Sequence, residues 1–367
     1  MKIIAAVLLF SIIVIFHELG HFLVARLCRV YVEEFCIGMG PRLLAHRAKS
    51  GTVFSIRLLP FGGACMMRGE DTLAEEDPEE DGQTAEETAV EEHGQDGSFQ
   101  EKTVWQRLAI VAAGPVFNFI LAALFAAVII GFAGYDAPIV YSVTGDYPAA
   151  EAGLQAGDTI TSIGGKRVTL YRDLSDWIDA HQTKMKNGEI ELTWLHDGEK
   201  KSAMLRAADN GSGRYVIGIT GGLRYSAEGN VLTIARYSLS EVRYWIEATI
   251  SGLKMIGQGE VTLDDVSGPV GVVQVIGETY EETKSEGTLV LTLNLLYLAV
   301  LLSANLGVMN LLPIPALDGG RILLLLAEAV TRKRLSPKVE GYINLAGFMF
   351  LMMIMAVVLM NDTRKLL

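Results

Sequence analysis

Residues 8–29 read LLFSIIVIFHELGHFLVARLCR and place His17, Glu18 and His21 inside an apolar run long enough to cross a bilayer. Ionisable groups at bilayer depth cost at least about 2.5 kcal/mol each, so they persist where function uses them. Positions i and i+4 lie on one face of a helix, so His17 and His21 can present nitrogens to one metal ion. Glu18 then stands beside that ion as a general base, as in the HExxH pattern that HELGH fits. Short patterns recur by chance. Two core histidines of a soluble helix are the ordinary alternative, but that alternative leaves Glu18 in an apolar span unexplained.

The rest of the chain agrees with a membrane setting. Half of its 367 residues are hydrophobic, and the mean hydropathy is positive. Four segments, at roughly 3–27, 108–132, 288–309 and 341–360, approach the roughly 20 apolar residues that a span needs. A cleaved signal peptide does not explain the first segment, whose run is too long and lacks a small-residue cleavage site before Arg26.

The net charge of −12 misleads, because residues 70–101 hold 14 acidic residues and no Lys or Arg. The remainder is slightly positive, and the block itself is expected to be a solvated, disordered loop. Cys28, Cys36 and Cys65 lack CxxC spacing and are expected to be small buried hydrophobes.

A catalytic zinc takes three protein ligands and keeps one open position. The candidate third ligand lies far downstream, in NLGVMNLLPIPALDGGRILLLL (305–326). Pro313 and Pro315 interrupt an apolar stretch there, and irregular backbone at membrane depth is tolerated only where it is buried in protein or lines a wet cavity. Asp318 is the only acidic residue between Glu286 and Glu328, which makes it the natural carboxylate. A capping Asp in a Pro-rich turn is the ordinary alternative.

Basic residues mark the cytoplasmic ends of spans. Arg26, Arg29, Arg42, Arg47, Lys49, Arg57 and Arg68 lie between the first two spans. Arg321, Arg332, Lys333, Arg334 and Lys338 lie between the last two. Both clusters put residues 133–287 and the two termini outside; Arg364 and Lys365 are a mild counter-signal. Within the outer region, YPAAEAGLQAGDTITSIGGKRV (147–168) resembles the loop, helix and strand of bacterial PDZ domains, which capture extended peptides by strand addition. A hairpin is expected to turn at Asp197-Gly198, and DLSDWIDAHQ to form a short helix. An amphipathic helix is expected across VLTIARYSLSEVRYWIEATISGLKMIG.

Together HELGH, NLLPIPALDGG and the PDZ-like stretch resemble the site-2 protease family of intramembrane zinc metalloproteases, of the bacterial RseP-like kind with a single PDZ domain. EEFCIGMGPRLL, LLPFGGACMMRGE, WQRLAIVAAGPVFNFILA and VSGPVGVVQV resemble family segments in the expected order. The resemblance implies a mainly α-helical polytopic membrane protein. About four transmembrane helices would carry a membrane-associated β-element and one extracytoplasmic PDZ domain.

The expected parts are a first span at 1–30, a β-region at 31–69, the acidic loop at 70–101 and a second span at 102–133. A PDZ domain at 137–222, an amphipathic helical region at 223–287, a third span with the LDGG motif at 288–330 and a last span at 341–361 follow. By the same resemblance His17, His21 and Asp318 bind Zn2+, Glu18 activates water, and Asn310, Gly62 and Gly63 handle substrate. The expected partners are single-span transmembrane proteins or peptides, such as anti-sigma factors or remnant signal peptides, together with the lipid bilayer and no nucleic acid. The expected place is a bacterial cell membrane, with the active site near the cytoplasmic side. A membrane metal transporter and a PDZ scaffold are the rival readings. Transport would need further polar residues lining the spans, and 341–360 offers only Asn344.

Overall fold

The structure, a computed structural model, describes residues 2–70, 97–261 and 267–366. Along the chain run α1 (Lys2–Leu27), strands β1 (Val32–Arg47) and β2 (Val53–Met67), a 3-10 turn (Phe99–Glu101) and α2 (Val104–Ala133). There follow β3 (Tyr135–Asp136), β4 (Ser142–Val143), α3 (Pro148–Glu151), β5 (Thr159–Ile163), β6 (Lys166–Arg167), α4 (Tyr171–Ala180) and α5 (Gln182–Asn187). Strands β7 (Ile190–His196) and β8 (Glu199–Leu205) precede four two-residue strands, β9 (Ala208–Asp209), β10 (Tyr215–Val216), β11 (Ile219–Thr220) and β12 (Arg224–Tyr225). The chain ends in α6 (Val231–Gln258), α7 (Pro269–Thr283), α8 (Thr288–Asn310), α9 (Asp318–Thr331) and α10 (Pro337–Leu366). It divides into two units, Met1–Phe125 with Trp245–Leu367, and Ala126–Tyr244.

In the first unit, α1, α2, α8 and α10 are each long and apolar enough to cross a membrane. They extend a few residues beyond the apolar runs that identify them, because polar residues continue a helix where its backbone bonds are already nucleated. The β1–β2 pair is not a flat ribbon. Each strand bends back on itself, so residues 34–37 lie against both 53–56 and 63–66. Gly38 and Gly62 make those bends with φ of 89° and 79°, conformations that suit glycine. Segment 63–67 is thereby paired along one side. Phe35, Cys65, Met67, Phe99, Ile110 and Leu325 share a buried cluster that ties the hairpin to α2 and α9.

Most of the acidic block lies outside the described residues. Its C-terminal flank, expected to be loop, is ordered. Phe99 is buried, and Ser98 with Glu101 forms a capping box around the 3-10 turn. The three cysteines are free thiols, Cys36 and Cys65 buried and Cys28 partly so.

Three polar links fix the helices. Arg107 on α2, 3% exposed, reaches Glu328 on α9 at 2.5 Å. Asp362 near the end of α10 accepts the backbone N–H groups of Gly268, Val270 and Gly271 at 3.0–3.1 Å, anchoring the start of α7. Asn344 on α10 accepts the Ala316 N–H at 3.4 Å, holding the loop that follows α8.

The second unit carries a four-stranded antiparallel sheet in the order β6-β5-β7-β8. The β7–β8 turn falls at Asp197-Gly198, both with positive φ, as an Asp-Gly hairpin requires. Ile160, Ile163, Leu174, Trp177, Leu192 and Trp194 form its core. Gly164 gives way to Trp177, whose ring occupies the space a β-carbon would need. Helix α4 is capped by Asp173, which accepts the N–H groups of Thr169 and Leu170 at 2.9 Å and pairs with Arg243 of α6 at 2.5 Å.

Candidate active site

The HELGH run occupies the second half of α1, so His17 and His21 stack one turn apart, each 8% exposed. Their Nε2 atoms are 3.2 Å apart. The loop after α8 cannot continue as helix: Pro313 and Pro315 disfavour it, and Ala316 turns back with φ of 72°. Helix then resumes at Asp318, in the first turn of α9, where the macrodipole favours an anion. Gly319 and Gly320 press against the backbone of residues 311–315 with no room for a β-carbon. This packing delivers the Asp318 Oδ2 atom to 3.2 Å from His17 Nε2 and 3.5 Å from His21 Nε2.

The three donor atoms lie within 4.8 Å of one another. Two imidazole nitrogens and a carboxylate oxygen are a donor set that zinc accepts with one position left open. Among the described residues Asp318 Oδ2 is buried without a hydrogen-bond partner, as an atom kept for a cation would be. The residues therefore fit the ion. His21 Nδ1 faces Ile110 O at 2.9 Å, and His17 Nδ1 faces the Asn118 amide at 3.2 Å. Such outer partners orient metal-ligating histidines.

A cavity of about 340 Å³ opens beside these groups, lined in part by Glu18, Gly63, Asn310 and Arg321. Asn310 places its amide 3.5 Å from His17 Nε2. A β-carbon at Gly63 would stand 3.3 Å from Glu18 Cγ, so this glycine keeps the cavity open between strand and Glu18. Gly62 does not line it; it faces the Met39 side chain and makes the bend in β2. Segment 63–67 forms one wall of the cavity.

The structure thus brings together His17, Glu18, His21, Asp318, Asn310 and Gly63. Sequence reasoning missed Gly114 and Asn118 on α2. A β-carbon on Gly114 would collide with both imidazoles, so only glycine lets α2 approach the histidines. Asn118 could have been found by the rule that singled out Glu18, since it is polar within an apolar span. Arg321, one turn beyond Asp318 on α9, pairs with Glu70 at the rim of the same cavity.

Buried imidazoles and a remote carboxylate are thus gathered among helices of bilayer length. The chain belongs to peptidase family M50, whose model matches residues 5–354. A protein of Clostridium acetobutylicum is similar at 35% identity over 363 residues, covering 98% of this chain and 97% of that one. The regulator of sigma-W protease RasP of Bacillus subtilis is similar at 31% identity over 431 residues, covering 99% of this chain and 98% of that protein. Among solved structures, the PDZ domain of the SdrC-like protein from Listeria monocytogenes is similar at 32% identity and a TM-score of 0.20. That match covers 24% of this chain and 88% of that one. With four helices of spanning length in an intramembrane protease family, the chain is a membrane protein.

Proposed function

We propose that this chain cleaves peptide bonds within transmembrane segments of single-span membrane proteins. It is a zinc metalloprotease of the site-2 kind by family. The observation that carries the reading is the meeting of His17, His21 and Asp318 at the wall of a cavity that Glu18 also lines.

His17, His21 and Asp318 would hold the zinc, which would supply a Lewis acid at the cavity wall. Glu18 takes a proton from the attacking water and returns it to the departing amine. The Asn310 amide, in the same cavity, donates to the substrate carbonyl. A transmembrane helix keeps its carbonyls in internal hydrogen bonds, so it must unwind locally before attack. Segment 63–67 can take the unwound stretch as an added strand, which re-satisfies its freed backbone groups and sets it beside Glu18.

The basic clusters support a topology with this cavity toward the cytoplasmic side and residues 133–287 outside. The second unit is read as a PDZ domain. A groove of about 120 Å³ between α4 and residues 214–219 offers an extended peptide a place to dock. That unit would admit substrates whose outer domain has already been trimmed.

The test uses purified protein in lipid vesicles with a single-span reporter. Wild type should bind one zinc and cut the reporter within its apolar segment. Glu18→Gln should bind zinc equally and cut nothing. Cleavage by Glu18→Gln above a few per cent of wild type would overturn the assignment.

A further inference from the structure

Helix α2 holds both histidines from behind, but in different ways. The His21 Nδ1–H donates to a fixed acceptor, Ile110 O, at 2.9 Å. That bond leaves the His21 Nε2 lone pair directed at the donor set. His17 meets a side-chain amide instead. Asn118 is fully buried, with Nδ2 at 3.2 Å from His17 Nδ1. Its Oδ1 is buried with no hydrogen-bond partner among the described residues. Ser303 Oγ donates to the Asn118 backbone carbonyl at 2.8 Å, which ties this turn of α2 to α8.

An amide end can present a donor or an acceptor to the same neighbour. With Nδ2 facing Nδ1, that nitrogen accepts and the His17 proton resides on Nε2. An Nε2 that carries a proton has no lone pair for a metal. Turning the amide over brings the orphan Oδ1 to Nδ1, moves the His17 proton there and frees Nε2. One residue can thus support either tautomer of His17.

We propose that Asn118 is a positioning residue for zinc, whose amide turns over to accept from His17 Nδ1–H and so sets His17 in its metal-binding tautomer. This rests on the zinc reading above. It explains why an amide, and not an apolar residue, occupies a fully buried position in a membrane-spanning helix, where an unpaired polar group is costly.

The experiment measures zinc affinity of the full-length protein in detergent by competition with a chelator. Asn118→Leu keeps the branched shape but offers no acceptor, and should bind zinc about 10–100-fold more weakly, the usual effect of losing an outer partner. Asn118→Asp offers a permanent acceptor and should bind within a few-fold of wild type or more tightly. Unchanged affinity in Asn118→Leu would overturn the proposal. So would equal weakening in both variants, which packing alone would produce. If Asn118→Leu does not fold, Asn118→Asp decides: retained affinity supports the role and a tenfold loss refutes it. Failure of wild type itself to bind zinc would refute the zinc reading, a separate result.

Discussion

His17 Nε2 and Asp318 Oδ2 lie 3.2 Å apart although they come from opposite ends of the chain. Replacing Asp318 with Asn keeps the shape and removes the charge. Zinc affinity should fall beyond the roughly 10–100-fold that loss of an outer partner costs, and cleavage should fall with it. Asp318→Glu should restore binding only in part, because the longer arm displaces the ion from Glu18. Full activity in Asp318→Asn would refute the three-donor site.

Gly114→Ala sets two effects against each other. Helix propensity favours alanine over glycine by about 1 kcal/mol. The added β-carbon, however, lands on the imidazoles of His21 and His17. Zinc binding and cleavage should therefore drop while the helix itself is not weakened. Gly131→Ala, in the same helix with open space around it, should leave both unchanged. Equal behaviour of the two variants in a zinc titration would contradict this account of α2.

Glu34 gives the hairpin a pH dependence. Burial pushes its carboxyl up, but the Ser55 hydroxyl and the Arg42 and Arg57 guanidinium groups outweigh that and hold it below the usual glutamate range. A depressed folded-state value stabilises the fold above the unfolded value of about 4.3 and is lost as pH falls through the folded one. Hydrogen-exchange protection factors of the β1–β2 amides, corrected for the intrinsic pH dependence of exchange, should thus fall in acid, and fall less in Glu34→Gln. An identical acid response in the variant would remove Glu34 as the cause.

Topology is open to cysteine labelling in a cysteine-free background. Probes placed in 150–220 should react in intact cells, and probes in 70–101 or 332–338 only after permeabilisation. Reaction of the acidic block from outside would reverse the proposed orientation.

Replacing residues 140–220 by a flexible linker tests the division of labour between the two units. Zinc content and cleavage of a pre-trimmed reporter should survive, while discrimination against an untrimmed one weakens. Loss of zinc from the folded remainder would show that the second unit supports the site.

Much of this arrangement was legible in the residues themselves. HELGH declared its own face by its spacing, and Asp318 stood out as the lone carboxylate in a long apolar stretch. The Asp197-Gly198 turn followed from backbone preference alone. What stayed hidden depends on contacts between distant segments. Nothing local marks Gly114 as the point where α2 meets two imidazoles, or Asn344 as the acceptor that steadies Ala316. The doubling back of β1 and β2 was equally hidden, since pairing of 34–37 with two partners is a property of the folded hairpin. The order at Phe99 was masked by the acidic residues around it, although one aromatic anchor and a capping box suffice to fix a turn.

Because the imidazoles sit in the first helix and the carboxylate opens the ninth, the order of synthesis becomes a safeguard. Roughly 300 residues separate the two, which at about 5–20 residues per second is on the order of 15–60 s of translation. Throughout that interval the proposed donor set would be incomplete, and the first helix would stand among other newly inserted proteins without the means to cut them. On the proposed three-donor site, hydrolytic competence would arrive only when α9 docks, and a chain truncated before Asp318 would be left as an inert membrane anchor.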